Sequence, residues 1–91
     1  NASGEFYRVK YSDLDVNGHL NSIKYMEHLL DLFDIGMFRE KEIGRFEIAY
    51  QSEGKYGMEL TLHNQEVSPG KYNMSICHDG KAICRAAVTW T

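Results

Sequence analysis

Apolar residues change their spacing along this 91-residue chain, and the changes mark out its elements. Phe6, Tyr7, Val9 and Tyr11 alternate loosely among β-formers, so the stretch from Glu5 to Tyr11 predicts a first strand. Between Ile23 and Phe33 the spacing becomes helical. Ile23, Met26, Leu30 and Phe33 form one stripe, and Tyr25, Leu29 and Leu32 widen it beyond an ordinary amphipathic face. A helix that is apolar around so much of its circumference is expected to be wrapped by other structure. Asn21 or Ser22 can cap its start, Gly36 is placed to end it, and Met37 to Ile43 reads as a short helical piece or a loop.

From Arg45 the period drops to two. Phe46, Ile48 and Tyr50 alternate with Glu47, Ala49 and Gln51, then Met58, Leu60 and Leu62 alternate with Glu59, Thr61 and His63, which predicts two half-buried strands. Ser68-Pro69-Gly70 suits a type II turn, with Pro at its second position and Gly at the third, where φ is positive. Lys71 to His78 and Ala82 to Thr91 are strands joined through Asp79-Gly80. A two-residue loop there pairs Ile76 with Ile83 and mixes core with polar positions on one face. A three-residue loop, Asp79-Gly80-Lys81, with a G1 bulge shifts the register by one and sets Tyr72, Met74 and Ile76 on the face of Cys84, Ala86, Val88 and Trp90. Burying one consistent face favours the bulged version. The order β-α-β-β-β-β predicts an α+β fold: a curled antiparallel sheet of about five strands around one long central helix, with Ala82, Ala86 and Ala87 letting helix and sheet approach.

Composition narrows the function classes. Hydrophobic residues make up 43% and charged residues 25%, with a single proline, as in an ordinary globular domain. The net charge of -3, with Lys and Arg scattered, leaves no electrostatic footprint for nucleic acid. No apolar run approaches the roughly 20 residues of a membrane span, and nothing reads as a signal peptide, so the expected compartment is the cytoplasm. Cys77 and Cys84 are too few for a disulfide framework and lack the paired spacing of a zinc site, so reduced core thiols and no metal are expected. His28, His63 and His78 read as surface or structural side chains. Asn1-Ala2-Ser3-Gly4 resembles the scar of a cleaved expression tag and is left out of the predicted fold, which makes residues 5–91 a single domain. A domain this small buries a limited share of its surface, so a partner subunit is a natural source of further core.

The chemistry concentrates in Asp13-Leu14-Asp15-Val16-Asn17-Gly18-His19-Leu20-Asn21-Ser22, which feeds directly into the helix. Two carboxylates, two amides and an imidazole sit in a glycine-containing turn just before a helix N-terminus. The pattern D-x-D-x-x-G-H-x-N-x-x-x-Y resembles the signature of hotdog-fold thioesterases. The longer string D-L-D-V-N-G-H-L-N-S-I-K-Y-M-E-H-L-L-D is similar to the second, C-terminal hotdog repeat of acyl-ACP thioesterases of the plant and bacterial fatty-acid type. The resemblance implies hydrolysis of fatty acyl thioesters without metal or organic cofactor. It implies as partners an acyl carrier protein or CoA thioester substrate and the N-terminal hotdog repeat of a parent enzyme. Two other readings stay open: a homodimeric acyl-CoA thioesterase, and a non-catalytic half that acts as a pairing module.

The same resemblance assigns residues. The second Asp of D-x-D is nucleophile or general base in single-domain hotdog thioesterases, and Asp15 is its match. The D-x-N-x-H pattern of the acyl-ACP enzymes implies Asp15, Asn17 and His19, with Asn17 holding the attacking water or the carbonyl and His19 polarising it or shuttling a proton. Asp13 reads as a cap or Asx-turn residue. Gly18 lets the backbone turn sharply and the substrate approach, and backbone N–H groups near Asn21 and Ser22, at the positive end of the helix, are candidates for an oxyanion hole. Plant-type enzymes carry a Glu-Cys pair in the hairpin after the helix. Aligning Tyr50-Gln51-Ser52-Glu53-Gly54 there yields Glu53 for the glutamate but Gly54 for the cysteine, which replaces a thiol nucleophile by a carboxylate-activated water. A slip of two positions would instead bring Gln51 and Ser52 to that pair.

Overall fold

A computed structural model describes residues 2–16 and 18–91, residues 2–4 by their backbone alone. Strand β1 (Ala2–Arg8) leads through a single 3-10 turn (Tyr11–Asp13) and the signature loop into α1 (Ser22–Leu30) and α2 (Ile35–Glu40). Four strands follow, β2 (Ile43–Tyr50), β3 (Glu59–Ser68), β4 (Lys71–His78) and β5 (Lys81–Trp90). They form one antiparallel sheet in the order β1-β3-β4-β5-β2, so β1 and β2 are its edges.

The predicted alternation sets the faces. Leu62, Ile76, Cys84 and Tyr50 form one row across β3, β4, β5 and β2, and Asn64, Met74, Ala86 and Ile48 form the next. Leu60, Leu62, Met74, Ile76, Cys84, Ala86, Val88 and Trp90 are buried on this inner face, together with Val9, Leu20, Tyr25 and Leu29. At the far end of α1, Phe33 packs edge-on to Tyr72 and Trp90, and Phe38 of α2 packs edge-on to Trp90.

Four expectations are corrected. The central helix is short, ending at Leu30, and the helical piece expected over Met37 to Ile43 is present but begins earlier, at Ile35, where Asp34 caps it by accepting the Gly36 N–H at 2.9 Å. Gly36 therefore lies inside α2 and does not terminate α1. The buried stripe of α1 is Tyr25 and Leu29, four residues apart, whereas Ile23 is 56% exposed. This helix rests chiefly on β3 and β4, so the alanines of β5 are not its main seat, and Ala87 lies on the outer face opposite Glu47 and Asn73. Finally, Ala2, Ser3 and Gly4 pair with Gln65, Asn64 and His63 as part of β1, so they belong to the sheet. Asn1 lies outside the described residues.

The last hairpin has the predicted register by a different device. His78 pairs with Lys81 across a two-residue turn, with φ of 51° at Asp79 and 77° at Gly80, and the register then shifts at Ile83 so that Ile76 faces Cys84. The extra residue sits one step inside the strand, not in the loop. Both neighbours at the bulge, Ile83 and Cys84, are buried. The Pro69-Gly70 turn matches its prediction, with Gly70 at φ 76°.

Candidate active site

The signature folds into a narrow hairpin ahead of α1. Leu14 and Leu20 pair, the Asp15 N–H donates to the His19 carbonyl at 2.9 Å, and the Gly18 N–H donates to the Asp15 carbonyl at 3.1 Å. Gly18 takes φ of 79°, the left-handed region that a residue with a Cβ enters only with strain. The exposed Asp15 carboxylate accepts the His19 N–H at 3.2 Å. Asn17 lies outside the described residues.

The hairpin hands over to the helix through Asn21. Its side chain accepts the Ile23 N–H at 2.9 Å, which makes it the N-cap, and its own N–H donates to the Asp13 carbonyl at 2.8 Å. Of the two amides considered for an oxyanion, that of Asn21 is thus occupied. The Ser22 N–H has no hydrogen-bond partner among the described residues, as expected for the first turn of a helix.

A third segment completes the cluster. After β2, the Gln51 and Ser52 N–H groups both donate to the carbonyl of bulged Ile83, at 2.9 and 3.1 Å, and the chain turns back toward the hairpin. There His19 pairs with Lys55, the Leu20 N–H donates to the Gly54 carbonyl at 2.8 Å, and Glu53 Oε2 stands 3.4 Å from His19 Nε2. That contact is an ion pair when His19 is protonated. The carboxylate against His19 thus comes from Glu53, while Gln51 and Ser52 are exposed beside it. Asp15, His19, Glu53 and the start of α1 meet at one end of the domain.

Two residues outside the predicted set organise this end. Asp13 is 2% exposed and accepts from the Tyr7 hydroxyl, from the Lys10 N–H at 2.8 Å and from His28 Nε2 at 3.1 Å. Burial pushes its carboxyl upward, but those hydrogen bonds and the His28 charge outweigh it and hold the group below the usual carboxylate range. The His28 ring lies against that of Tyr7, with centroids 3.9 Å apart, so His28 is structural. The second residue is Tyr25, 4% exposed, whose hydroxyl oxygen accepts the Gly54 N–H at 2.8 Å. The only sequence signal for either was its place in the motif. Among the described residues no three His, Cys, Asp or Glu side chains converge as a metal group, and no helix is long and apolar enough to cross a membrane.

Residues 1–91 match the family described as the acyl-ACP thioesterase C-terminal domain. The chain belongs to that family. An acyl-ACP thioesterase from Bacteroides thetaiotaomicron superposes with a TM-score of 0.91 at 42% identity, over 96% of this chain and 36% of that one. The 12:0-ACP thioesterase from Umbellularia californica shares the fold, with a TM-score of 0.87 at 23% identity over 99% of this chain and 34% of that one. The chloroplastic dodecanoyl-[acyl-carrier-protein] hydrolase of Cinnamomum camphora is 36% identical over 44 residues, 48% of this chain and 12% of that protein. The five-stranded antiparallel sheet is accordingly a hotdog fold, and the chain spans about a third of the solved relatives' length.

Proposed function

We propose that this chain is the C-terminal hotdog repeat of an enzyme that hydrolyses fatty acyl thioesters carried on acyl carrier protein, and that its signature end supplies the reacting groups. The observation that carries the reading is the meeting of His19 with Glu53, 34 positions away in sequence, beside the Asp15 carboxylate and an open helix N-terminus. In this scheme the exposed Asp15 takes a proton from water as its oxygen attacks the thioester carbonyl, with Asn17 orienting that water. The developing oxyanion meets the Ser22 N–H at the positive end of α1. The C–S bond then breaks, and His19, paired with Glu53, gives the leaving thiolate its proton.

The surroundings favour a partner at this end. Val16, Ile23 and Tyr50 are exposed apolar side chains around the helix N-terminus, and β2 is an open sheet edge. The natural partner in this reading is the N-terminal repeat. The isolated chain, lacking it, pairs with itself as a two-fold dimer through an edge strand. Sedimentation at micromolar concentration tests this, and a well-folded monomer would overturn the self-pairing. The activity is tested by turnover of a panel of acyl-ACP and acyl-CoA thioesters by the intact protein that carries this chain. Release of free fatty acid from acyl-ACP is expected; turnover of acyl-CoA alone would replace the carrier, and turnover of neither would end the enzymatic reading.

A further inference from the structure

The segment that brings Glu53 to His19 has no regular structure of its own, and its position needs a cause. Gly54 is its centre, a buried residue whose two backbone polar groups both point into protein: the carbonyl accepts the Leu20 N–H at 2.8 Å and the N–H donates to the Tyr25 hydroxyl at 2.8 Å. Buried amides are almost always paired, and here the partner is a side chain of α1. Tyr25 is itself fixed. Its ring packs edge-on to Tyr50 at 5.1 Å, and the Tyr50 hydroxyl donates to the Ser22 carbonyl at 3.3 Å in the first turn of the same helix. Burial raises the Tyr25 phenol, so it stays a neutral partner through the physiological range.

The fit around Gly54 is tight. A Cβ there would stand 2.9 Å from Leu20 Cδ2, 3.0 Å from Leu20 Cβ and 3.4 Å from the Tyr25 hydroxyl. No side chain fits at this position without moving Leu20, which sits beside His19 in the hairpin, or loosening the Tyr25 contact.

We propose that Tyr25 is a positioning residue of the active site: by accepting the Gly54 N–H from a buried helical position, it clamps residues 53–55 against the signature hairpin and thereby sets Glu53 beside His19. The inference deepens the functional reading above and rests on it for the role of Glu53. The clamp places no group of Tyr25 on the substrate; it acts through Glu53. Removing the hydroxyl alone should leave the ring packing intact and free the loop.

The experiment uses Tyr25→Phe, Glu53→Gln and the double variant in the intact protein. Tyr25→Phe is expected to lower kcat by up to about tenfold, no more than Glu53→Gln itself, because it acts through that carboxylate, with KM nearly unchanged. Hydrogen exchange of the Gly54 amide should quicken, while the amides of Leu29 and Ile76 keep their protection. Because Tyr25 acts through Glu53, the double variant should be no slower than Glu53→Gln alone. Wild-type Gly54 exchange in Tyr25→Phe overturns the clamp, as do additive losses in the double variant or a uniform rise in exchange at all three amides. If Glu53→Gln is silent, the catalytic role of Glu53 fails. The selective change at Gly54 then still decides whether the clamp exists.

Discussion

Asp13 and Asp15 stand two residues apart in one D-x-D pattern, and each has a histidine within reach, yet their surroundings differ in kind. Asp13 is buried, with its carboxylate filled by Tyr7, the Lys10 amide and His28, and its backbone carbonyl holding the Asn21 N–H. Asp15 is exposed at the hairpin end, where its carboxylate accepts the His19 N–H and faces solvent. A buried carboxylate that accepts three hydrogen bonds ties elements together, in this case β1, the 3-10 turn and α1. An exposed one at a hairpin end lies where solvent and a substrate can reach it. The same residue type serves structure or chemistry according to burial.

The contrast can be broken from either side. Asp13→Ala leaves the Tyr7 hydroxyl, the Lys10 amide and the His28 ring without their partner. It should lose about 3 kcal/mol of unfolding free energy in total, since a fully buried group left unpaired costs roughly 1–3 kcal/mol and these three are only part-buried. Denaturant unfolding measures it, and a loss under about 1 kcal/mol would mean that the Asp13 cluster does not hold the fold. Asp15→Asn should do the opposite. Its unfolding midpoint should stay near wild type, while turnover by the intact protein falls about 10²-fold or more through loss of the base; unchanged turnover would remove Asp15 from the mechanism.

Acid sharpens the comparison further. Because the folded state holds the Asp13 carboxyl below its unfolded value, the charged form stabilises the fold at pH values above the ordinary carboxylate range. That contribution disappears as pH falls from about 4 through the depressed folded value. Urea midpoints across this window should drop in the wild type and drop less in Asp13→Asn. An equal drop in the two would show that the Asp13 carboxylate does not stabilise the fold.

Glu53→Gln is expected to cost less turnover than Asp15→Asn, about tenfold, since its carboxylate supports His19 and does not meet the water. An effect equal to that of Asp15→Asn would make both carboxylates essential to proton transfer. The smallest effect is expected at the cysteines. Burial pushes the Cys84 thiol up to about 11, which leaves it a poor nucleophile near neutral pH. Cys84→Ser and Cys77→Ser should retain activity, and thiol reagents should react at Cys84 only as the protein unfolds. Loss of turnover with the fold intact would place the nucleophile elsewhere than proposed.

Local chemistry carried much of this protein in the sequence itself. The period-two segments set which side chains of β3, β4 and β5 face inward, Asn21 is a cap because its amide oxygen lies two residues before an orphan N–H, and Pro69-Gly70 turns because of its own φ preferences. These depend on neighbours a few positions away. The tertiary structure alone decided the rest: that Ala2 to Gly4 extend a strand, and that the hairpin's extra residue is Ile83. It also decided that Asp13 is buried while Asp15 is not, and that Glu53 reaches His19 through Gly54 and Tyr25. Burial and pairing at those positions come from segments tens of residues distant, and no periodicity within the chain encodes which of two like side chains will be covered.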